Sequence, residues 1–467
     1  MRAATLEPPF EAPAVNPIDL WHGLLRPGEE LTPAYCGRFA DAMRGLKLTF
    51  GDRVHCPFLR PFFLTAEDEA RIRGAAETIA ALGERVARAA LDSPDLLAQL
   101  GLTGPEIRLA RMDPGYPTAS TASRVDAFLL PDSLHFAEYN AESPAGPGYT
   151  QRLCELFDAM PAMSRFRASM RTRYHRTIEA LLDALVASYR EWGGRASPPT
   201  MAIVDWRTVP TWTEFEILAE AFGAAGVPTI VCDPADLAFD GRTLAAEGRP
   251  VDLVYRRVLI NDILARPDEC EALVRAYEAR AACVANTFRC KIAHKKAFFA
   301  VLTDERHAAL FTGAEHALIR ATVPWTRVVA DRETTRGGRR VGLLEAVLQE
   351  RERLVIKPND EYGGKGVQLG WEMTGAAWGL ALDAALADPP GSWIVQERIP
   401  VRREVFPQFD ATGTVAMREM LVDVAPYLFR GRMAGYLTRL SGTGLANVTS
   451  GGGQVPAFVV AAGAVGE

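Results

Sequence analysis

The segment 353–370 constrains the fold more than any other part of this sequence. It reads RLVIKPNDEYGGKGVQLG, and the apolar, largely β-branched run at 354–356 predicts a buried strand that ends in Lys357. Positions 359–366 are polar and rich in glycine, and the strand pattern resumes at 367–369. We therefore expect a β-hairpin with a flexible tip and a lysine fixed at its base.

The loop of this hairpin has the composition of a phosphate contact. Glycines let backbone N–H groups approach a polyanion, and a lysine adds a localised positive charge. The candidates are Lys357 and the loop residues Gly363, Gly364, Lys365 and Gly366. An ordinary glycine-rich hairpin is the alternative, and the absence of Ser or Thr after Lys365 excludes a Walker loop.

The stretch 122–148 predicts a second hairpin with a polar face. Two strand-like runs flank a Pro-Asp turn, so Arg124 and Asp126 share one face of the first strand, and Glu138 and Asn140 share one face of the second. If the register places Asp126 near Glu138, their oxygen atoms form a set that suits Mg²⁺. The alternative is a solvated antiparallel pair whose polar face meets water.

Composition narrows the class of protein. A chain of 467 residues with 48% hydrophobic and 24% charged residues is expected to form two or three soluble lobes. The net charge of −6 argues against a nucleic-acid surface, and no apolar run approaches the roughly 18 residues of a membrane span. The N-terminal residues do not resemble a signal peptide, so a cytoplasmic location is expected. The seven cysteines are scattered and include no Cys-x-x-Cys pair, which predicts buried thiols rather than disulfides or a zinc site.

The remaining segments read mainly as scaffold. A helical pattern runs over 65–102 and begins with a capping box, and a second covers 149–186. The strand–helix–strand rhythm of 200–255 predicts a small parallel α/β unit, whose strand ends are the expected place for ligand contacts. Arg256 at such an end is either a carboxylate or phosphate contact or a surface residue. The glycines at 450–453 form either a phosphate or substrate loop or a surface turn.

A strand ending in Gln396 and Glu397 follows the first hairpin. This succession of strand, lysine, glycine loop and two further strands resembles the ATP-grasp superfamily, in which the hairpin folds over the triphosphate. The resemblance implies that Lys357 contacts phosphate and that Gln396, Glu397 and Ile399 lie beside the adenine. It further implies that Glu404 contacts the ribose, and that Lys296, with Lys295 in reserve, contacts phosphate.

The polar hairpin precedes Lys357 by more than 200 residues, and this order of motifs resembles that of the circularly permuted ATP-grasp proteins. The synthetase domains of glutathionylspermidine and trypanothione synthetases carry similar Arg-x-Asp and Glu-x-Asn pairs, a nearby serine and a late arginine. The resemblance implies that Mg²⁺ is bound by Asp126, Glu138 and Asn140. It implies that Arg124, Ser143 and Arg439 assist transfer of the phosphoryl group.

The residue patterns predict a mixed α/β fold with a helical N-terminal region and a small parallel subdomain. The resemblance implies that this fold is a circularly permuted ATP-grasp and that the parallel subdomain is pre-ATP-grasp-like. The expected divisions are 1–120 helical region, 121–195 metal-site strands and helices, 196–285 parallel subdomain, 286–400 ATP-binding hairpin lobe and 401–467 remainder of the core. The resemblance implies a ligase that uses ATP and Mg²⁺ to join a small-molecule or peptide carboxylate to an amine. A non-catalytic nucleotide-binding protein and a small-molecule kinase are the alternatives.

Overall fold

A computed structural model describes residues 15–442 and 452–462 of the chain. Ser450 and Gly451 of the glycine-rich segment 450–453, for which a phosphate or substrate loop was one interpretation, lie outside the described residues, whereas Gly453 begins a strand. None of the described helices combines the length and apolarity needed to cross a membrane. All seven cysteines are free thiols and are buried, which confirms the interpretation drawn from their spacing.

The N-terminal region is mainly helical, as predicted. Its longest helix, Ala66–Leu91, begins with the predicted capping box, in which Thr65 and Asp68 each accept from the other's backbone N–H. The other helices are Pro17–Leu24, Pro33–Gly45, Pro94–Leu100 and Gly104–Arg111, and the strands are Thr49–Phe50, Arg53–Val54 and Phe62–Thr65.

A six-stranded antiparallel sheet, here called the central sheet, carries the predicted polar hairpin. Its strands in spatial order are Gly453–Val455, Arg432–Ser441, Val415–Phe429, Ala122–Leu129 and Leu134–Asn140, and Arg402–Phe409 pairs with Val415–Phe429 as well. The long strand Val415–Phe429 therefore pairs with Arg402–Phe409 along one half and with Ala122–Leu129 along the other. Residues far apart in sequence meet on one face of this sheet.

The segment after the polar hairpin is not one continuous helical region, which corrects the prediction for 149–186. Helices Pro147–Asp158, Pro161–Phe166 and Thr177–Glu191 are interrupted by the strand Met170–Arg173. This strand pairs with Ala457–Ala462, which also pairs with Phe62–Thr65. Strand pairing with the distant end of the chain overrides the local helical pattern here.

The predicted parallel unit is present as a four-stranded parallel sheet. Its spatial order is Cys283–Ala285, Leu253–Arg256, Met201–Val204 and Thr229–Cys232. Helices Trp212–Ala224, Ile260–Ala265 and Glu271–Glu278 accompany it, together with the turn Pro234–Asp236 and the small sheet Leu237–Phe239, Leu244–Ala246 and Arg249–Pro250.

The predicted glycine-loop hairpin lies in a four-stranded antiparallel sheet, here called the hairpin lobe. Its spatial order is Thr326–Val328, Trp393–Glu397, Leu354–Pro358 and Gln368–Leu369. The flanking helices are Cys290–His294, Ala297–Thr303, Gly313–Thr322, Leu343–Gln349 and Gly375–Ala387; short 3₁₀ turns occupy Glu305–Leu310, Arg351–Arg353 and Gly370–Glu372, and Glu333–Arg336 pairs with Arg339–Gly342. The helix Gly375–Ala387 buries Trp378 and Leu382 in a separate apolar cluster beneath the lobe.

Candidate functional site

The polar hairpin has the register on which the predicted metal site depends. Asp126 lies directly opposite Glu138, and Arg124 lies directly opposite Asn140. The register shifts immediately after Asp126, between Asp126 and Ala127, where the hairpin has a bulge. The prediction that the two carboxylates are neighbours across the hairpin is therefore confirmed.

Side-chain hydrogen bonds join the four residues of this face. The amide nitrogen Nδ2 of Asn140 donates to Oδ1 of Asp126 at 3.2 Å and to Oε1 of Glu138 at 3.3 Å. Nε of Arg124 donates to Oδ1 of Asp126 at 3.0 Å. Burial alone would raise the pKa of Asp126, but the charges of Arg439 and Arg124 outweigh it and hold that pKa well below its usual range. Asp126 is therefore an anion at neutral pH.

A third carboxylate, Asp423, stands beside this pair and was missed in the sequence. Asp423 and Arg439 lie opposite each other on neighbouring strands of the central sheet. Nε of Arg439 donates to Oδ2 of Asp423 at 2.6 Å, and Nη2 donates to Oδ2 of Asp126 at 2.6 Å. Burial raises the pKa of Asp423 to about 6, against the influence of Arg439. The pairing with Arg439 is what marks Asp423 as part of the site, and this pairing cannot be read from the sequence.

Asp126, Glu138 and Asn140 carry oxygen atoms of the kind that could hold a magnesium ion, although Nδ2 of Asn140, rather than its oxygen, faces the two carboxylates. Mg²⁺ prefers oxygen ligands, takes one or two carboxylates from the protein and completes its shell with water and phosphate. Within 15–442 and 452–462, no group of three or more His, Cys, Asp or Glu side chains could hold a metal ion by itself. A cation bound here would complete its shell with ligands other than these side chains, such as water or phosphate.

Lys357 lies at the end of its strand, as predicted, and its ammonium group is partly buried. Nζ donates to Oε1 of Gln396 on the neighbouring strand at 2.7 Å, and Nε2 of Gln396 donates to the hydroxyl of Thr326 at 3.1 Å. Burial lowers the pKa of Lys357 to about 8, and the negative charge of Glu138 opposes this shift only in part.

The hairpin lobe and the central sheet enclose a cleft of about 510 Å³. Most of the predicted site residues line it, namely Asp126, Glu138, Lys296, Lys357, Gly363, Gly364, Lys365, Gln396, Glu397, Ile399 and Arg439. Its size is within the range of small-molecule sites in proteins. The two hairpins identified in the sequence thus both line one cleft.

Of the two candidate lysines after the parallel sheet, only Lys296 lines the cleft. Its Nζ lies 3.4 Å from Oε2 of Glu138 and also donates to the backbone carbonyl of Glu361. Lys295 points away and donates to Glu106 at 2.8 Å and to Asp360 at 2.6 Å. The side chains of these two adjacent lysines therefore point in different directions, and that of Lys296 faces the cleft.

The glycine loop is fixed at its base and exposed at its tip. The Asn359 side chain donates to the carbonyls of Leu100 and Gly391 at 2.8 and 2.7 Å, and Lys291 donates to Asp360 at 2.8 Å. The five residues that follow Glu361 are all exposed, and Tyr362 has 68% of its surface accessible. We call these five residues, 362–366, the lid tip.

Five of the predicted residues do not line the cleft, namely Arg124, Asn140, Ser143, Gly366 and Glu404. Arg124 and Asn140 contact Asp126, which does line it. Glu404 is paired with Arg60 and with Arg402, each at 2.6 Å, and lies behind the cleft wall.

Ser143 and Arg256 are linked in the interior. The Ser143 hydroxyl donates to the backbone carbonyl of Arg256, and Ser143 itself has a left-handed backbone with φ of +45°. The Arg256 side chain is fully buried and donates to Oε1 of Glu142 at 2.9 Å. Arg256 is therefore not a surface residue, which was one of the two interpretations. It is a carboxylate contact, but the carboxylate is that of Glu142 within the protein, which supplies the counter-charge that burial requires.

Several residues that line the cleft were not predicted. The Arg398 guanidinium lies 4.3 Å from the ring centre of Trp371, and both line the cleft with Arg403. Such a contact between a cation and an aromatic ring is attractive. Trp371 belongs to a short turn after the glycine hairpin, and its position against Arg398 depends on tertiary packing.

The chain is similar to a known protein family and to two curated proteins. The sequence model of the family described as circularly permuted ATP-grasp type 2 matches residues 131–442, more than half of the chain. A Frankia casuarinae protein provisionally named glutamate–cysteine ligase 2-2 is 25% identical over 60% of this chain and 32% of its own length. A Frankia alni protein provisionally named glutamate–cysteine ligase 2-3 is 31% identical over 47% of this chain and 24% of its own length.

The chain spans between a quarter and a third of the length of these curated relatives. Among solved structures, a provisionally named γ-glutamylcysteine synthetase of Methylobacillus flagellatus aligns with a TM-score of 0.41 and 10% identity, over 82% of this chain and 85% of that one. The fold is mixed α/β, and the polar hairpin precedes the glycine-loop hairpin in sequence. The family match over residues 131–442 shows that the chain belongs to the circularly permuted ATP-grasp type 2 family.

Proposed function

We propose that this protein is an ATP-dependent ligase that joins a carboxylate to an amine through an acyl phosphate. One observation carries the proposal: the directly opposed carboxylates of Asp126 and Glu138 share a cleft with Lys357 and Gln396. An anion-binding lysine and a pair of metal-type carboxylates in one cleft are what phosphoryl transfer requires. Family membership supports the use of ATP.

In this proposal the nucleotide lies along the hairpin lobe. Lys357 and Lys296 contact its phosphates, and the glycines and Lys365 of the lid tip cover them. The hinge residues Gln396, Glu397 and Ile399 lie beside the adenine. Glu404 remains the proposed ribose contact, although its ion pairs with Arg60 and Arg402 would have to rearrange for it to reach a ribose.

Asp126, Glu138 and Asn140 would hold Mg²⁺, whose charge offsets that of the phosphates when it is bound. Arg124 and Arg439 are the cations proposed to face the transferring phosphoryl group, with Ser143 at the adjoining loop. Nη1 of Arg124 donates to the carbonyl of Ala145 at 3.0 Å, which links the hairpin face to the loop that carries Ser143.

The reaction has two steps. A substrate carboxylate oxygen attacks the γ-phosphorus of ATP, a P–O bond forms, and the bond to the bridging oxygen breaks so that ADP leaves. The amine nitrogen then attacks the acyl carbon, the C–O bond to phosphate breaks, and inorganic phosphate leaves as the amine loses a proton. The protein contributes alignment of the reactants and fixed positive charge rather than a covalent nucleophile.

The substrates we propose are amino acids or short peptides. The curated relatives are provisionally named glutamate–cysteine ligases, and an amino acid supplies both a carboxylate and an amine. Because the chain spans at most a third of those relatives, glutamate and cysteine are members of a panel here rather than assigned substrates.

The experiment is incubation with ATP, Mg²⁺ and a panel of amino acids and short peptides, with release of ADP and phosphate as the measurement. Hydroxylamine is added in parallel, because it converts an acyl phosphate into a hydroxamate. Substrate-dependent ADP release with hydroxamate formation supports the ligase. A phosphorylated product that survives without hydroxamate would identify a kinase, and nucleotide binding without turnover would identify a non-catalytic protein.

A further inference from the structure

Asp423 is a buried carboxylate in the cleft to which the proposed function assigns no task. It lies in the strand Val415–Phe429, has no accessible surface and faces Arg439 on the neighbouring strand. A fully buried charge is costly unless its partners are fixed and well oriented. Its contacts therefore indicate what it does.

The two oxygens of Asp423 bind two different parts of the site. Oδ2 accepts from Nε of Arg439 at 2.6 Å and also from Nη2 of the same guanidinium. Oδ1 accepts from the backbone N–H of Ala127 at 3.3 Å. Ala127 directly follows Asp126 at the hairpin bulge, so one carboxylate fixes both Arg439 and the backbone that carries Asp126.

Arg439 lies between two carboxylates, since Nη2 also donates to Oδ2 of Asp126 at 2.6 Å. Among the described residues, Nη1 of Arg439 has no hydrogen-bond partner, and the side chain lines the cleft. If the charge of Asp423 were removed, Asp126 would be the only carboxylate bound to this guanidinium. Arg439 would then compete with a divalent cation for the same oxygen atoms.

We propose that Asp423 is a positioning residue that restrains Arg439 from pairing fully with Asp126, and so leaves the Asp126 carboxylate available to a divalent cation. This inference rests on the proposed function, in which Asp126 binds the ion that accompanies ATP. Asp423 itself does not contact the nucleotide. It acts through Arg439 and through the N–H of Ala127.

The test is Asp423→Asn, which keeps the size of the side chain and an acceptor for Ala127 but removes the charge. Binding of the β,γ-imido analogue of ATP is measured by calorimetry at increasing Mg²⁺ concentrations. We expect the Mg²⁺ concentration that gives half of the maximal gain in affinity to rise about tenfold or more, as for other residues that orient metal ligands. Affinity for the analogue in EDTA should not change.

Two further variants isolate the route of the effect. Asp383→Asn alters an exposed carboxylate on the helix Gly375–Ala387 and should leave the Mg²⁺ requirement unchanged. In an Arg439→Gln background, adding Asp423→Asn should have no further effect, because the competing guanidinium is gone. An equal rise in both backgrounds would show that Asp423 acts on the ion directly and would overturn the proposal.

Asp423→Ser, which also lacks the charge but retains an acceptor, is the second variant if Asp423→Asn fails to fold. An unchanged Mg²⁺ requirement in either folded variant overturns the inference. Loss of folding in both also contradicts it, since Asp423 would then be a structural residue. Failure of the proposed function looks different: the wild-type protein would bind the analogue with no dependence on Mg²⁺, or not at all.

Discussion

Nζ of Lys357 donates a hydrogen bond to Oε1 of Gln396 at 2.7 Å, across neighbouring strands of the hairpin lobe. The resemblance to ATP-grasp enzymes assigns these two residues to different parts of ATP, the phosphates and the base. In the structure the two side chains are instead hydrogen-bonded to each other. In the proposed complex, nucleotide binding therefore exchanges the internal hydrogen bond of Lys357 for a charge-assisted contact with phosphate.

Lys357→Ala should weaken ATP binding by about 1.5–3 kcal/mol, because it removes a charge-assisted contact. Calorimetric titration with ATP measures this. Lys365→Ala is the matched control, since that lysine lines the same cleft but has a side chain that is 76% exposed. Its effect should be smaller because water already screens its charge. Equal losses, or none for Lys357→Ala, would show that the hairpin base is not the phosphate site.

Nucleotide binding should take up a proton above pH 8. Burial lowers the pKa of Lys357 to about 8, so the free protein carries a neutral amine at pH 9, whereas a bound phosphate favours the ammonium form. Affinity should then fall by up to about tenfold per pH unit above pH 8. Calorimetry at pH 9 in two buffers of different ionisation enthalpy measures the uptake, which Lys357→Ala should abolish.

The lowered pKa of Lys357 should make the folded protein more stable as the pH rises above 8, whereas it should make nucleotide binding weaker. Because the folded pKa lies below the ordinary value of 10.5, the cost of burying the charged amine is complete below pH 8 and is relieved as the pH rises toward 10.5. The contribution of Lys357 to the free energy of unfolding should therefore increase over that range. A comparison of wild type with Lys357→Ala by chemical denaturation at pH 7 and pH 10 tests this sign.

Hydrogen exchange should divide the glycine loop into two parts. The backbone from Tyr362 to Gly366 is exposed and should exchange rapidly without ATP and slowly with it. Asn359, by contrast, is buried, and its N–H donates to the carbonyl of Ser392 at 2.8 Å, so it should be protected in both states. Equal protection of the lid tip with and without nucleotide would count against a covering role.

Glu138→Gln should abolish turnover while ATP still binds weakly through Lys357 and the hinge. The glutamine amide keeps the size of the side chain. It removes the negative charge that Glu138, opposite Asp126, would offer to a bound cation. Glu372→Gln is the control, because this exposed residue lines the same cleft away from the hairpin face. Both proteins are first compared by thermal melting. Undiminished Mg²⁺-dependent ATP consumption by a folded Glu138→Gln protein would refute the metal site.

Local pattern was sufficient to predict the two hairpins. Period-two alternation places Asp126 and Glu138 on the faces where the structure has them, and the apolar run before Lys357 is a buried strand. The parallel unit was also predictable, since a strand–helix–strand order strongly favours parallel pairing. These features depend on residues close to one another in sequence.

Features that depend on distant residues were not predictable in this way. Asp423 sits in an apolar strand, and only its pairing with Arg439 and its contact with Ala127 distinguish it. The strand Met170–Arg173 reads as helix until it is paired with Ala457–Ala462. The resemblance favoured Lys296 over Lys295, and Lys296 does line the cleft, but local pattern alone does not distinguish two adjacent residues of equal charge.

The hydrogen bond from Arg439 to Asp126 joins residues that are 313 positions apart in the chain. This part of the cleft can therefore form only after Arg439 has been synthesised. The ribosome delivers the polar hairpin early and the strands of Asp423 and Arg439 late, and contacts of such sequence separation form slowly. Until then the carboxylate of Asp126 lacks its distant counter-charge. A nascent chain therefore holds both hairpins before Arg439 can pair with Asp126 and Asp423, so this face of the cleft is completed only late in synthesis.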